Sequence, residues 1–247
     1  MDQEQPRVAL ITGAARRVGA DIARRLHAAG WNLALHYRRG GDAMTRLLAE
    51  LNAARADSAA AWPAELAEFD RLPELVALAV GRFGQLDALV NNASAFYPTS
   101  VGSITPDQWD DLFAANARAP LFLCQAAAPH LRARGGAIVN LVDIYAERPL
   151  AGHTVYCMAK AALVMATRSL AIELGPDIRV NAVAPGAVLW PESGKDYADQ
   201  QQLVASTALK CSGSPGDVAE AVRWLLEDAH HCSGEIIRVD GGRHLNM

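Results

Sequence analysis

Three residues of this chain have the types and the spacing of an acid–base site. Tyr156 and Lys160 are four positions apart in a segment with helical periodicity, so both side chains are expected on one helix face. A phenol beside a fixed cation is expected to have a lowered pKa and to exchange a proton near neutral pH. Asp143 follows the apolar run 137–142, and carboxylates at strand ends lie where open α/β sheets bind ligands. An ordinary amphipathic helix and a capping aspartate would give the same pattern. Other segments must therefore distinguish an acid–base site from a purely structural one.

Short β-branched runs alternate with longer helical patterns, which predicts one α/β domain over residues 1–247. Such alternation favours a doubly wound, seven-stranded parallel sheet with helices on both faces. The predicted strands are 8–12, 32–37, 58–62, 88–91, 137–142, 179–184 and 235–239. The predicted helices are 17–29, 42–54, 72–82, 106–131, 155–174 and 215–226. Residues 188–214 are irregular, which predicts a substrate lid or, alternatively, a plain surface excursion.

Composition excludes several classes of function. The formal charge of −4 over 247 residues argues against a nucleic-acid surface. No apolar run reaches about 18 residues, so we expect no membrane span, and the segment 8–12 is too short for a signal-peptide core. The four cysteines are scattered without a Cys-x-x-Cys pair, and His230-His231-Cys232 is interpreted as a turn. We expect a cytoplasmic protein with reduced thiols and without a metal.

Two strand ends predict a dinucleotide site. The first strand runs into Thr12-Gly13-Ala14-Ala15-Arg16-Arg17-Val18-Gly19 and then a helix, and such a turn lets backbone N–H groups approach a pyrophosphate. The second strand ends in His36-Tyr37-Arg38-Arg39, without the acid that would bind the ribose hydroxyls of NAD. Because a guanidinium matches a phosphate, the pattern favours NADPH/NADP+, with His36, Arg38 and Arg39 around the 2′-phosphate. A solvated charge run is the alternative.

Several motifs in the same order resemble the short-chain dehydrogenase/reductase family. They are Thr12-Gly13, Asn91-Asn92-Ala93, Asn116, Tyr156-x-x-x-Lys160, Asn181 and Pro185-Gly186. Arg17 and Ser94 stand where that family usually has glycine. The resemblance implies a single-domain Rossmann fold, a homotetramer, an Asn116 that orders a proton-relay water at a helix kink, and a Lys160 that lowers the pKa of Tyr156 and holds the nicotinamide ribose. Together with the residues at the end of the second strand, the expected cofactor contacts are Gly13, Arg17, Val18, His36, Tyr37, Arg38, Arg39, Asn92, Ala93, Ser94, Tyr156, Lys160, Pro185 and Gly186.

Asp143 narrows the expected substrate. The family usually has serine thirteen residues before the catalytic tyrosine, and here that position is Asp143. A carboxyl group can accept hydrogen bonds from an amino group or pass a proton to a ring nitrogen, which favours a nitrogen heterocycle over a simple ketone.

Two segments resemble the pteridine and dihydromonapterin reductases of the same family. They are residues 91–99 and the C-terminal Asp240-Gly241-Gly242-Arg243-His244-Leu245. The resemblance implies that Phe96 stacks a pterin on the nicotinamide, that Ser94 and Arg17 contact both pterin and phosphate, and that Asp143 and Tyr156 donate the proton.

The expected function is therefore NADPH-dependent reduction of a dihydropterin to a tetrahydropterin, with a substrate of the dihydrobiopterin, dihydromonapterin or dihydrofolate type. One alternative is a short-chain reductase for a carbonyl group in a sugar, a steroid or an acyl thioester. The other is an NADP-binding subunit without activity, which the presence of Asn116, Tyr156 and Lys160 disfavours.

Overall fold

Seven parallel strands form one sheet in the computed structural model, which describes residues 5–186, 188 and 204–246. The strand order is β3-β2-β1-β4-β5-β6-β7. The strands are β1 (Val8–Ile11), β2 (Asn32–Tyr37), β3 (Ala59–Pro63), β4 (Ala88–Asn91), β5 (Ala137–Leu141), β6 (Arg179–Pro185) and β7 (Ile236–Val239). The predicted fold class is confirmed, and each strand lies within one residue of its predicted bounds.

The helices cover both faces of this sheet. They are α1 (Arg17–Ala28), α2 (Gly41–Ala54), α3 (Arg71–Phe83), α4 (Pro106–Phe113), α5 (Ala119–Arg132), α6 (Thr154–Leu174) and α7 (Pro215–Glu227). Successive strand side chains point to opposite faces, so Ala9 and Ile11 join the core layer under α1, α2 and α7. Val8 and Leu10 join the layer under α3 and α5. Burial on both faces explains why the strands are apolar runs without alternation.

The predicted helix 106–131 is wrong as a single element. A π-helical turn, Ala114–Arg118, separates α4 from α5. Pro120 has no N–H to donate to the carbonyl of Asn116, and its ring would crowd that carbonyl in a regular helix. One turn earlier, the Leu112 carbonyl accepts a hydrogen bond from the Asn116 side-chain amide at 2.9 Å. Such π-turns are frequent at functional sites.

The predicted lid falls largely outside the described residues, which on this stretch are Val188 and 204–214. The described part is anchored: Thr207 is buried, and its hydroxyl donates to the Val204 carbonyl at 2.8 Å. The lid therefore stays a prediction.

Among the described residues, one helix is long and apolar enough to cross a membrane by length and composition, and that helix is α6. It carries the buried Lys160 and Thr167. The core helix of a globular domain passes the same test.

Candidate active site

The carboxyl ends of the strands enclose a cleft of about 680 Å³. The loops after β1, β2, β4, β5 and β6 contribute to its walls, as expected for a doubly wound sheet. Sixteen of the residues expected to contact cofactor or substrate line this one cleft: Gly13, Arg17, Val18, His36, Tyr37, Arg38, Arg39, Asn92, Ala93, Ser94, Phe96, Asp143, Tyr156, Lys160, Pro185 and Gly186. Asn116 does not line the cleft but accepts a hydrogen bond from Ser94, which does.

Asp143 and Tyr156 form a hydrogen-bonded pair. The Tyr156 hydroxyl donates to Asp143 Oδ2 at 2.7 Å. Asp143 Oδ1 accepts from the Tyr145 N–H at 2.9 Å and so caps the 3₁₀ turn Ile144–Ala146. Asp143 is thus both the structural cap and the partner of the tyrosine. The two oxygens have separate tasks, so the cap fixes the carboxyl group that receives the phenol.

The expected lowering of the Tyr156 pKa is wrong for this structure. Burial raises the pKa of the Tyr156 phenol well above its usual value, and the neighbouring Asp143 raises it further. Lys160 Nζ lies 5.9 Å from the centre of the Tyr156 ring, so its charge does not offset these effects. Burial also raises the pKa of Asp143, against the opposing effects of the Tyr145 N–H, Tyr156, Lys160 and Arg243. The Tyr156 phenol therefore keeps its proton at neutral pH and is suited to donating it, while the Asp143 carboxyl group accepts its hydrogen bond.

Lys160 is buried below this pair, with 2% of its surface exposed. Its Nζ donates to the Leu141 carbonyl at the end of β5, at 2.8 Å. Burial lowers the pKa of Lys160 to about 8, although Asp143 acts in the opposite direction. The i, i+4 spacing on α6 therefore places the ammonium and the phenol in the same cleft, as the sequence predicts.

Ser94 connects the tyrosine to the π-helical turn. Its hydroxyl donates to Asn116 Oδ1 at 2.7 Å, and its interaction with Tyr156 lowers the pKa of the phenol against the effect of burial. The Asn116 amide also donates to the Ala95 carbonyl at 2.9 Å. The break in the helix thus gives Asn116 the orientation that holds the loop after β4 next to the phenol.

Phe96 stands beside the acid–base pair. Its ring meets the Tyr156 ring edge to face, with centroids 4.8 Å apart, and it stacks on the His153 ring at 4.7 Å. About a third of Phe96 is exposed, and the residue lines the cleft. An aromatic side chain in this position suits a planar ring in the cleft.

The loop after β1 has the close packing of a phosphate cradle. A Cβ at Gly19 would lie 2.3 Å from the Gly13 carbonyl oxygen, so a side chain there is excluded. Arg17 has a left-handed backbone with φ +55°, the conformation that glycine adopts without cost. Arginine therefore keeps the backbone of the glycine it replaces while adding a guanidinium to the cleft, and strained backbone of this kind is found at functional sites.

The structure assigns His36 a different role from the expected phosphate contact. The ring is 1% exposed, its Nδ1 accepts from the Gly13 N–H at 3.2 Å, and its Nε2 donates to the Ala64 carbonyl at 3.0 Å. Burial lowers the pKa of His36, so a neutral ring holds the phosphate loop. Both ring nitrogens are used by the backbone, which leaves none for a phosphate.

Arginines border the cleft at the end of β2. Arg38 and Arg39 both line it, and Arg38 pairs with Glu65 at 3.5 Å across an exposed surface. Sequence reasoning missed Arg16, which also lines the cleft and whose guanidinium lies where a side chain at Gly40 would be. Arg16 could have been predicted from the sequence, because it directly precedes Arg17 in the loop after β1.

Comparisons with known proteins agree with this geometry. The family model described as enoyl-(acyl carrier protein) reductase matches residues 13–244. Pteridine reductase 1 of Leishmania tarentolae is 36% identical over 278 positions, covering 96% of each chain. A putative ketoacyl reductase of granaticin polyketide synthesis from Streptomyces violaceoruber is 34% identical, over 99% of this chain and 98% of its own. The 3-oxoacyl-(acyl-carrier-protein) reductase FabG of Staphylococcus epidermidis is 33% identical, over 96% and 98%.

This chain belongs to the short-chain dehydrogenase/reductase family. It is therefore an oxidoreductase of the kind that uses a nicotinamide dinucleotide, which supplies or accepts a hydride when bound. The residues present fit such a cofactor. The closely packed Gly13 and Gly19 leave room for a phosphate at the start of α1. Arginines border the cleft at the end of β2, and Lys160 lines the cleft beside Tyr156. The described residues contain no group of three or more side chains suited to a metal.

Two further side chains of this short-chain reductase line the cleft without having been predicted as site residues. They are Tyr145, in the turn capped by Asp143, and Arg243, in the C-terminal turn Arg243–Leu245. The C-terminal motif containing Arg243 was recognised in the sequence, but only the fold brings it back to the end of β5.

Proposed function

We propose that this short-chain reductase is an NADPH-dependent pteridine reductase that converts a dihydropterin to a tetrahydropterin. The observation that carries the proposal is the 2.7 Å hydrogen bond from Tyr156 to Asp143, at the position where the family usually has serine. Serine would polarise a carbonyl group, whereas a phenol hydrogen-bonded to a carboxyl group can deliver a proton to a ring nitrogen.

The chain's residues divide the work of this reduction. Bound NADPH would supply the hydride for the carbon of the C=N bond in the dihydropterin. Tyr156 gives its hydroxyl proton to the adjacent ring nitrogen, so that the C=N bond gains one hydride and one proton. The resulting phenolate recovers a proton from solvent, either by way of Ser94 or through Asp143, whose pKa is raised by burial. Phe96 supports the planar ring beside the Tyr156 edge.

The preference for NADPH is part of the proposal. Arg38 and Arg39, which line the cleft together with Arg16, would bind a 2′-phosphate through charge-assisted hydrogen bonds. Neither of the last two residues of β2, His36 and Tyr37, nor the following Arg38 and Arg39 supplies a carboxylate for the ribose hydroxyls of NADH.

A carbonyl reductase is the second candidate. Two similar relatives carry names of ketoacyl reductases, and the matching family model is described as an acyl-carrier-protein reductase. Asp143 and Phe96 disfavour this candidate, because a flexible acyl thioester needs neither a ring support nor a carboxyl proton donor.

NADPH oxidation in the presence of single substrates would decide between them. The panel contains dihydrobiopterin, dihydromonapterin, dihydrofolate and an acetoacetyl thioester, with Tyr156→Phe as the inactive control. We expect turnover with at least one dihydropterin and a much lower kcat/KM with the thioester. The opposite order would refute the pteridine proposal and favour the carbonyl reductase.

We also propose that the chain assembles as a homotetramer through α5 and α6. Met158, Met165 and Ile172 recur every seven residues along α6 and are exposed, as is Leu121 on α5. Apolar side chains aligned on one helix face are suited to pairing with a second copy. Light scattering after size exclusion would give four chain masses, and a monomer would refute this assembly. A cytoplasmic location stays a prediction from composition.

A further inference from the structure

The C-terminal turn is built to direct one arginine into the active site. Asp240, 8% exposed, accepts from the N–H groups of Gly242 at 3.0 Å and His244 at 2.7 Å, and from His244 Nδ1 at 2.7 Å. Gly241 and Gly242 have φ of +62° and +73°, values that glycine tolerates best. These bonds fix the turn that starts at Arg243, whose side chain lines the cleft.

Arg243 is buried in that cleft next to the acid–base pair. The residue is 6% exposed, its Cζ lies 5.4 Å from the centre of the Tyr145 ring, and its guanidinium interacts with the Tyr145 hydroxyl. Its charge is also felt at Asp143. Tyr145 lies two residues after Asp143, in the turn that Asp143 caps, so Arg243 and the acid–base pair share one side of the cleft.

The guanidinium is incompletely satisfied by the protein. Its Nε is buried and has no hydrogen-bond partner in the part of the chain that the structure describes. Within the same residues, no carboxylate lies within 4.0 Å to form an ion pair with Arg243, unlike the Arg238–Glu147 pair nearby. A buried cation without a full set of acceptors costs free energy, and a ligand that supplies acceptor oxygens would offset that cost.

The chemistry of a dihydropterin indicates which oxygens these are. In a 7,8-dihydropterin, the C=N bond that accepts hydride and proton belongs to the pyrazine ring, and its carbon carries the side chain. That side chain therefore begins beside the groups that protonate the adjacent nitrogen, Tyr156 and Asp143. The pyrimidine ring is fused on the other side of that nitrogen, so the side chain points away from the fused ring.

We propose that Arg243 is a substrate-binding residue that recognises hydroxyl oxygens on the side chain of the dihydropterin. This inference rests on the proposed pteridine reductase function and adds a substrate class, namely pterins with a polyhydroxylated side chain. Tyr145 acts as a positioning residue, because its ring and hydroxyl hold the guanidinium.

The test compares two substrates that differ only in the side chain, 7,8-dihydromonapterin and 6-methyl-7,8-dihydropterin, with NADPH. For Arg243→Met we expect kcat/KM to fall roughly 10- to 100-fold with the hydroxylated substrate, the range for losing hydrogen bonds to a charged group. With 6-methyl-7,8-dihydropterin, kcat/KM of the same variant should change less than about threefold. Arg243→Lys keeps the charge but loses the paired N–H donors of the guanidinium, so its kcat/KM with the hydroxylated substrate should lie between those of wild type and Arg243→Met. Arg238→Met, an exposed arginine of β7 paired with Glu147, is the matched control and behaves as wild type.

Each alternative outcome has a distinct meaning. An equal loss with both substrates would overturn the inference, because Arg243 would then act through Asp143 or the fold rather than through the side chain. If Arg243→Met does not fold by circular dichroism, Tyr145→Phe takes its place: a loss confined to the hydroxylated substrate supports the inference, and no selective loss overturns it. If the wild-type enzyme reduces neither pterin, the pteridine proposal itself fails, and this inference fails with it.

Discussion

The Tyr156 hydroxyl donates a 2.7 Å hydrogen bond to Asp143 Oδ2. This bond connects the first turn of α6 to the segment that follows β5. Burial raises the pKa of both groups, so the pair keeps a proton where a phenol activated by lysine would tend to lose it. This arrangement suits the reductive direction, in which the protein must supply a proton to the substrate.

Replacing Asp143 separates the two roles of its carboxyl group. In Asp143→Asn the amide still accepts the cap bond from Tyr145 N–H but cannot carry the proton. We expect kcat/KM for a dihydropterin to fall about 10²- to 10⁴-fold, the usual range for lost general acid catalysis, with the affinity for NADPH unchanged. Asp143→Ser, which restores the residue usual in the family, should lose pterin reduction without losing reduction of a ketone. Wild-type pterin turnover in Asp143→Asn would contradict the assignment.

The buried Lys160 makes stability depend on pH. Its pKa falls from 10.5 to about 8 in the folded chain, so between these values the unfolded chain binds more protons. The free energy of unfolding therefore rises with pH through this window, by about 3 kcal/mol at most. The cost of the buried charge is present in full below pH 8.

Urea unfolding of the cofactor-free protein at pH 7, 8, 9 and 10 measures this effect. Lys160→Met should lack the rise that wild type shows between pH 8 and 10, whereas Lys210→Met, at an exposed lysine, should keep it. Parallel curves for wild type and Lys160→Met would show that the ammonium is not penalised by burial.

The arginines after β2 and the histidine inside β2 should differ in their effect on cofactor choice. Arg38→Ala with Arg39→Ala removes the groups placed for a 2′-phosphate, so the Kd for NADPH should rise about 10- to 100-fold while the Kd for NADH stays constant. Arg71→Ala, an exposed arginine paired with Glu74 on α3, is the control. Cofactor fluorescence titrations give both constants, and an unchanged ratio would refute the phosphate assignment.

His36→Ala should weaken both cofactors by the same factor. Its ring holds the Gly13 N–H and the Ala64 carbonyl, so its loss loosens the phosphate loop, which both cofactors share. A loss confined to NADPH would instead restore His36 as a direct contact of the 2′-phosphate.

Asn116 stabilises the break between α4 and α5. Asn116→Ala removes the partner of the Leu112 and Ala95 carbonyls and of the Ser94 hydroxyl, and unpaired buried polar groups cost about 1–3 kcal/mol. We expect a lower free energy of unfolding and slower turnover, whereas Ser94→Ala, which removes one of these bonds, should lower stability less. Calorimetry with matched activity assays would check both, and an unchanged Tm for Asn116→Ala would contradict this role.

Patterns within short segments of the sequence were sufficient to predict many of the residues that line the cleft. The i, i+4 spacing of Tyr156 and Lys160 follows from helix geometry, and the strand ends follow from apolar runs that stop at Asn91, Asp143 and Gly186. The helical periodicity predicted one continuous helix over 106–131, whereas the family resemblance implied the kink at Asn116 that the structure shows, and Pro120 indicates it as well. A break inside a helix is difficult to predict from periodicity, because the side-chain hydrogen bonds that stabilise it join segments remote in sequence.

The sequence by itself determined the order of strands and helices, the small-residue loop at Gly13 and the candidate acid–base residues, because these depend on neighbours along the chain. The tertiary structure alone decided the direction of the Tyr156 pKa, the structural role of His36 and the approach of Arg243 to Asp143. Each of these depends on burial and on distances between segments remote in sequence. Desolvation and charge proximity are properties of the packed chain, and spacing within one segment does not contain them.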